Sequence, residues 1–339
     1  MSTAEEIVVR LRADGRALDA NLTAGERRIQ KFSKKTEQTG RTMSRNLTLP
    51  IVAATAASAK MALEFDHQFA LIGGLVGASA KQLGEYKTRV LEMAPALGKA
   101  PAELAEALYF VTSSGFKGAA ALRVLEASAK ASAAGLGSTA VVADAVTSAV
   151  NAYGEETLSA TNATDILLAA VREGKSEPEA FAGSIGRVIP LAEKMGVSFG
   201  EVAGMMAAMS LNGTNADEAV TQLSAVLATA IKPTKEGRDA LKDIGRSYAD
   251  VRAEIKEKGL LTTIEDLNDA YGGNVEKLGA VFGNVRALRG ILALTGASAE
   301  KYKGIIEEVG AANGDTAESF NKMAESDGFK LKQALAELQ

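Results

Sequence analysis

The chain carries one histidine, His67, flanked by Asp66 and set between Phe65 and Phe69. Imidazole chemistry would have to start there. Neighbouring positions on a helix point about 100° apart, so Asp66 and His67 do not share a face, and no nucleophile-elbow motif supplies a serine for a triad. Cysteine is absent, which removes thiolate nucleophiles, disulfides and Cys-ligated zinc together. A metal site would need carboxylates alone. The paired acids Glu155-Glu156, Asp217-Glu218 and Glu307-Glu308 are adjacent rather than stacked on one helical face, so they belong near helix starts or on solvated surfaces. Gly73-Gly74 and Gly272-Gly273-Asn274 lack the Gly-Lys-Ser/Thr ending of a phosphate loop and follow no strand pattern, so they read as helix ends and hinges. The residue types therefore point to no catalytic, cofactor-binding or metal-ligating set, and His67 reads as a polar residue beside a helix-packing surface.

The elements that would have to position any chemistry are helices. Hydrophobic residues make up 47% of the 339 and aromatics only 5%, with no Trp, so the core must be built from Ala, Leu, Val and Ile packed at short distances. Ser79-Ala80-Lys81-Gln82, Ser176-Glu177-Pro178-Glu179 and Ser198-Phe199-Gly200-Glu201 each place a hydroxyl three residues before Glu or Gln, the pattern of a reciprocal cap. Between such starts, apolar residues recur at helical spacing: Leu83, Tyr86, Val90 and Met93, then Leu104, Leu108 and Val111, then Ile166, Leu167, Ala170 and Val171. Three segments, 100–115, 138–154 and 198–213, share a start near a cap and an end at Gly. Their irregular spacing argues against a solenoid and for a body of related hairpins.

Before that body the pattern changes. Residues 5–12 alternate as one short strand closed by Asp14-Gly15. Leu18, Leu22, Gly25, Ile29, Phe32, Thr36, Thr39 and Met43 then fall at alternating intervals of four and three, a heptad seam whose apolar members are candidates for self-association or for folding back on the body. The same stretch carries Arg27, Arg28, Lys31, Lys34, Lys35, Arg41 and Arg45 against Glu37 alone. On a chain of net charge −4 this is a local basic arm, open to DNA, to an acidic partner protein, to an acidic lumen or simply to solvent. The expected fold is all-α: a short strand over 1–15, a helical arm over 16–63, a globular multi-helix body over 64–296 and further helices over 297–339. No window reaches transmembrane length and the first residues are not of signal-peptide type.

Around Pro50 the sequence becomes specific. A basic helix passes through Leu47-Thr48-Leu49-Pro50-Ile51 into a small-residue apolar helix ending in Glu64-Phe65-Asp66, and this joint resembles the N-terminal region of phage tail tape-measure proteins. Further segments are similar to that family and come in its order: Pro101–Gly115, then Phe181–Pro233 with its Ala192-Glu193-Lys194-Met195-Gly196-Val197-Ser198 and Asn212-Gly213 turns, then Val281-Phe282-Gly283-Asn284-Val285-Arg286-Ala287-Leu288. The resemblance covers residues 43–294. Members of the family are usually much longer, so the chain stands as either a shortened form or a short member.

The resemblance implies a structural assembly protein of the tail lumen: tube subunits polymerise around it, its extended length sets tail length, and it leaves before DNA ejection. It implies tail-tube, tail-terminator or tail-tip proteins and assembly chaperones as partners, a homo-oligomeric state and a virion location after assembly in the host cytoplasm. Some long members carry peptidoglycan-cleaving domains elsewhere, but the residues here offer no metal cluster or acid-base pair, so no enzymatic activity is expected. The alternative from the residues alone is a cytosolic helical adaptor that oligomerises through residues 16–46 and presents its body to a protein partner.

Overall fold

Helix starts in this chain are set by side chains that accept from the first free amides. In the computed structural model, Ser79 Oγ accepts from the Gln82 amide at 3.3 Å and Gln82 Oε1 accepts from the Ser79 amide at 3.0 Å, the reciprocal cap the sequence predicts. The other two expected boxes come out differently. Pro178 takes the first helical position, where its missing N–H costs nothing, so the cap falls on Glu177, whose carboxylate accepts from Ala180 N–H at 2.7 Å. Ser176 Oγ is left buried without a partner. Ser198 caps its helix by accepting from Glu201 N–H at 3.1 Å, but Glu201 turns away to another helix.

The structure describes residues 51–295 and 298–337, with backbone alone for 51–61. Among these residues the fold is all-α, with eighteen α-helices, one π-helical turn at Ser132–Leu136 and no strand. The strand over 5–12, the heptad seam and the basic arm lie outside the described residues. Two compact units are present, one formed by 51–109 with 322–337 and the other by 110–321.

In the first unit the helix Ile51–Leu75 runs unbroken through residues 63 and 64. Gly73 and Gly74, expected as a helix end, sit inside its last turn because a Gly pair costs a helix only about 1 kcal/mol per residue when neighbouring packing holds it. Phe69 and Ile72 are buried. They meet the next helix, Ala80–Leu97, which buries Tyr86, Val90, Ala94 and Leu97. That helix ends where Gly98 adopts φ 60°, letting Lys99 N–H reach back to Ala94 O at 3.0 Å. The position also leaves no room for a side chain: a Cβ there would stand 3.0 Å from the Phe329 ring, which the terminal helix Asp327–Ala336 buries against it.

The second unit is organised around Phe199–Leu211, a helix apolar on every side and buried from Val202 through Ser210. A helix of that composition has to be central. Ala299–Gly310 packs along it, and Ala160–Glu173 contacts both. The helix pairs Gly118–Ala131 with Thr139–Tyr153, Ala216–Ile231 with Val285–Leu294, and Lys235–Asp243 with Val275–Phe282 surround this centre. The three look-alike segments each form one helix followed by a glycine at positive φ, Gly115, Gly154 and Gly213.

Candidate functional site

The residues that could do chemistry are dispersed. His67 is exposed on its helix, and Asp66 beside it is occupied by Lys87 Nζ at 2.7 Å. Lys87 lies 5.9 and 5.4 Å from the centroids of Phe65 and Phe69, rings that are themselves 4.8 Å apart. This is a cation resting on an aromatic pair, which fastens the first helix to the second. Of the acid pairs, Glu155 bonds Arg123 at 2.8 Å, Asp217 bonds Arg187, and Glu308 lies 3.7 Å from Arg172. Among the described residues no group of three His, Asp or Glu side chains converges as a metal site.

The second unit contains one cleft large enough for a small ligand, about 360 Å³, lined by Tyr153, Asn162, Glu193, Ser198, Phe199 and Gly310 among others. Three of its polar side chains are engaged by the chain itself, while the Glu193 carboxylate is exposed. Tyr153 Oη donates to Val197 O at 2.8 Å, and burial, then the charges of Glu193 and Glu201, raise its pKa so that it stays a donor. Asn162 Nδ2 donates to Ala312 O at 3.1 Å, and Ser198 Oγ is used as a helix cap.

What the unit does hold is a set of polar anchors between segments distant in sequence, with the Asp165 carboxylate buried. Asp165, 1% exposed, accepts from Gly314 N–H at 2.7 Å and Thr316 N–H at 2.8 Å. The carboxylate therefore caps the helix Asp315–Ala324, where the free amides and the helix dipole both favour an anion. Arg172, two turns further along the same helix as Asp165, closes the site from outside with Asp315 and Glu173. Tyr302 Oη donates to Asn212 Oδ1 at 2.7 Å while Asn212 Nδ2 donates to Ala293 O at 2.7 Å. Glu201 accepts from Leu261 N–H at 2.9 Å, capping Leu260–Ala270, whose own first residue before the helix, Gly259, has no side chain to do so. Burial raises the pKa of Glu201, opposed by the backbone amides it accepts from.

The backbones themselves touch at the centre. A Cβ on Gly200 would lie 2.6 Å from Gly310 Cα, and one on Gly204 would lie 2.7 Å from Ile306 Cα. Glycines four apart on one face let two helices approach until main chain meets main chain. Such a site binds chain to chain and has no reacting atom in it.

The comparisons with known proteins place this helical chain in a family. Residues 78–283 match the family described as phage-related minor tail protein, and the chain belongs to that family. It is 26% identical over 299 residues to the tape measure protein of Pneumococcus phage Dp-1, an alignment that covers 87% of this chain and 26% of that protein. It is also 24% identical over 312 residues to the probable tape measure protein of Clostridium phage phiCD119, covering 88% of this chain and 33% of the relative. A third, the probable tape measure protein of Escherichia phage P2, is 24% identical over 175 residues, 50% of this chain and 21% of that one. The chain thus spans about a quarter to a third of the length of the first two. No solved structure matches it.

Proposed function

We propose that the chain is the N-terminal part of a tail tape-measure protein, a structural component that lies in the tail-tube lumen, templates tube polymerisation, sets tail length and is released before DNA ejection. The observation that carries this reading is the alignment of 87% of the chain with a named tape measure protein, within a family of phage-related minor tail proteins. Tyr153 and Asn162 in the cleft are each engaged by a backbone carbonyl of the chain itself, which supports a role in holding the fold.

Physical dimensions divide the labour. The longest described helix has 25 residues, or about 38 Å at 1.5 Å per residue, and the others are shorter. The body is folded onto itself, so it contributes little reach, and measurement falls to extended helix elsewhere in the protein. Its own role is to be an anchor: a folded end that tail-tube, tail-tip or terminator proteins and assembly chaperones recognise, with the basic arm and the heptad seam of residues 16–46 available for DNA, an acidic partner or further copies of the chain. Among the described residues no helix is long and apolar enough to cross a membrane.

In-frame deletions and duplications in the gene should shorten and lengthen the tails seen by negative-stain microscopy in proportion to the residues removed or added. Tails of unchanged length across several such alleles would rule out the measuring role while leaving membership of the tail intact.

A further inference from the structure

The helix Val285–Leu294 buries Ala287, Gly290, Ile291 and Leu294. Its outer face is unusual. Val285 is 69% exposed and Leu292 43% exposed, and between them Arg286 and Arg289 are both exposed. Residues 285, 289 and 292 fall at i, i+4 and i+7, one face of a helix, with Arg286 one turn before Arg289 beside it. Arginines nearby are engaged: Arg238 donates to Pro233 O at 3.0 Å, Arg246 to Glu254 at 3.2 Å and Arg252 to Ala230 O at 3.0 Å. Among the described residues, neither guanidinium of Arg286 or Arg289 has a hydrogen-bond or ion-pair partner.

We propose that this face is a docking surface for an amphipathic, acidic helix of a partner protein. Val285 and Leu292 are seven residues apart, about 10.5 Å along the axis, which matches apolar anchors two turns apart on an incoming helix. Carboxylates between those anchors would meet Arg286 and Arg289 as bidentate acceptors. The packed neighbour Ala216–Ile231 runs antiparallel, since Thr229 Oγ1 donates to Phe282 O at 3.1 Å and a Cβ on Gly290 would lie 3.2 Å from Gln222 Cβ. It brings exposed Ile231 to the end of the pair at which Val285 stands. The chain's own residues 27–45 are unsuited as occupant, because their charge has the same sign as the face. A phosphate backbone would use the arginines but would set Val285 and Leu292 against charged oxygens, so an acidic protein helix fits both parts of the surface and DNA only one.

The surface belongs to the folded body, so it stands or falls separately from the length-setting role. The test titrates the full 339-residue chain into a fluorescein-labelled alanine-based helical peptide with Leu at seven-residue spacing flanked by Glu. A matched peptide with Lys for Glu and a short DNA duplex are titrated alongside. The acidic peptide should bind at least about tenfold tighter than the basic one, and weaken as salt rises. Arg286→Glu/Arg289→Glu, with an unchanged circular dichroism spectrum, should reverse the preference. Val285→Ser/Leu292→Ser, which keeps both arginines, should lose the acidic peptide. The inference is overturned by no measurable binding of the acidic peptide, by equal binding of both peptides, by tighter binding of the duplex, or by self-association of the chain that Arg286→Glu/Arg289→Glu abolishes.

Discussion

In the unit formed by 51–109 and 322–337, the first helix meets the second through Phe65, Phe69 and Ile72 and leaves Leu63 and Leu75 in solvent. In the unit 110–321, the central helix is buried from Val202 through Ser210 and is held by backbone contact, while the buried Asp165 carboxylate ties the helix Ala160–Glu173 to Asp315–Ala324. The first arrangement relies on a few large side chains. The second relies on the absence of side chains, where the fit is fixed by main-chain atoms that cannot move aside. An aromatic contact tolerates shifts of fractions of an ångström, whereas a glycine pressed on a neighbouring Cα does not. The second unit should therefore be the rigid one, and substitutions can test that ordering.

The largest effect is expected at Gly204→Val, which would drive a branched side chain into Ile306 Cα, 2.7 Å from the position of the Cβ. Overpacking against backbone should cost at least about 3 kcal/mol and show as a lowered urea midpoint. A loss under about 1 kcal/mol would break the comparison outright. Next comes Asp165→Ala, which leaves the amide of Thr316 unpaired in the interior and takes the acceptor from that of Gly314. A cost of about 2–4 kcal/mol is expected, with those two amides exchanging with deuterium faster than others in the unit.

Glu201 sharpens the comparison through pH. Burial raises its pKa in the folded state above the ordinary value of 4.5, so the folded chain holds this proton where the unfolded chain has lost it. Its contribution to stability is full below that ordinary value and is lost as pH rises through the raised one. Glu201→Gln keeps an acceptor for the Leu261 amide and should remove that part of the slope, raising stability at neutral pH by no more than about 1 kcal/mol. An unaltered pH profile would show that this carboxylate is solvated. The smallest effect belongs to Lys87→Ala in the first unit, where an exposed ion pair and two ring contacts should together be worth about 1 kcal/mol or less.

Much of the helical framework is legible in the sequence because it is local. Ser79 with Gln82, and the stripe of Tyr86 and Val90, carry their outcome within a few residues. So did the segments around Ala192–Ser198 and Val281–Leu288, whose order pointed to the tail family that the comparisons support. Glu177 was legible too, had Pro178 been weighed as the first helical residue rather than Ser176 as the cap. Glu201 was not, because its partner at Leu261 is sixty residues away and a Ser-x-x-Glu spacing looks the same whichever amide the carboxylate chooses. Gly200 and Gly204 lay in plain view at a four-residue spacing, but only the partner helix shows that their faces meet Gly310 and Ile306. Asp165, next to Ile166, Leu167 and Leu168, is a charge inside an apolar run; that mismatch was the available signal for a buried anchor. Arg286 and Arg289 could not be told from ordinary surface arginines, because the sequence does not show which arginines find partners within the fold.

The Asp165 cap also sets a timetable. Its two partners stand 149 and 151 positions downstream, and a ribosome adding roughly 5–20 residues per second needs on the order of 10 s to reach them. For that interval the nascent helices around Gly200 lack the segment that covers them, and their apolar faces are open to whatever meets the emerging chain first. The window closes once residue 316 has left the exit tunnel, so a protein that must hold this body open has to act during translation.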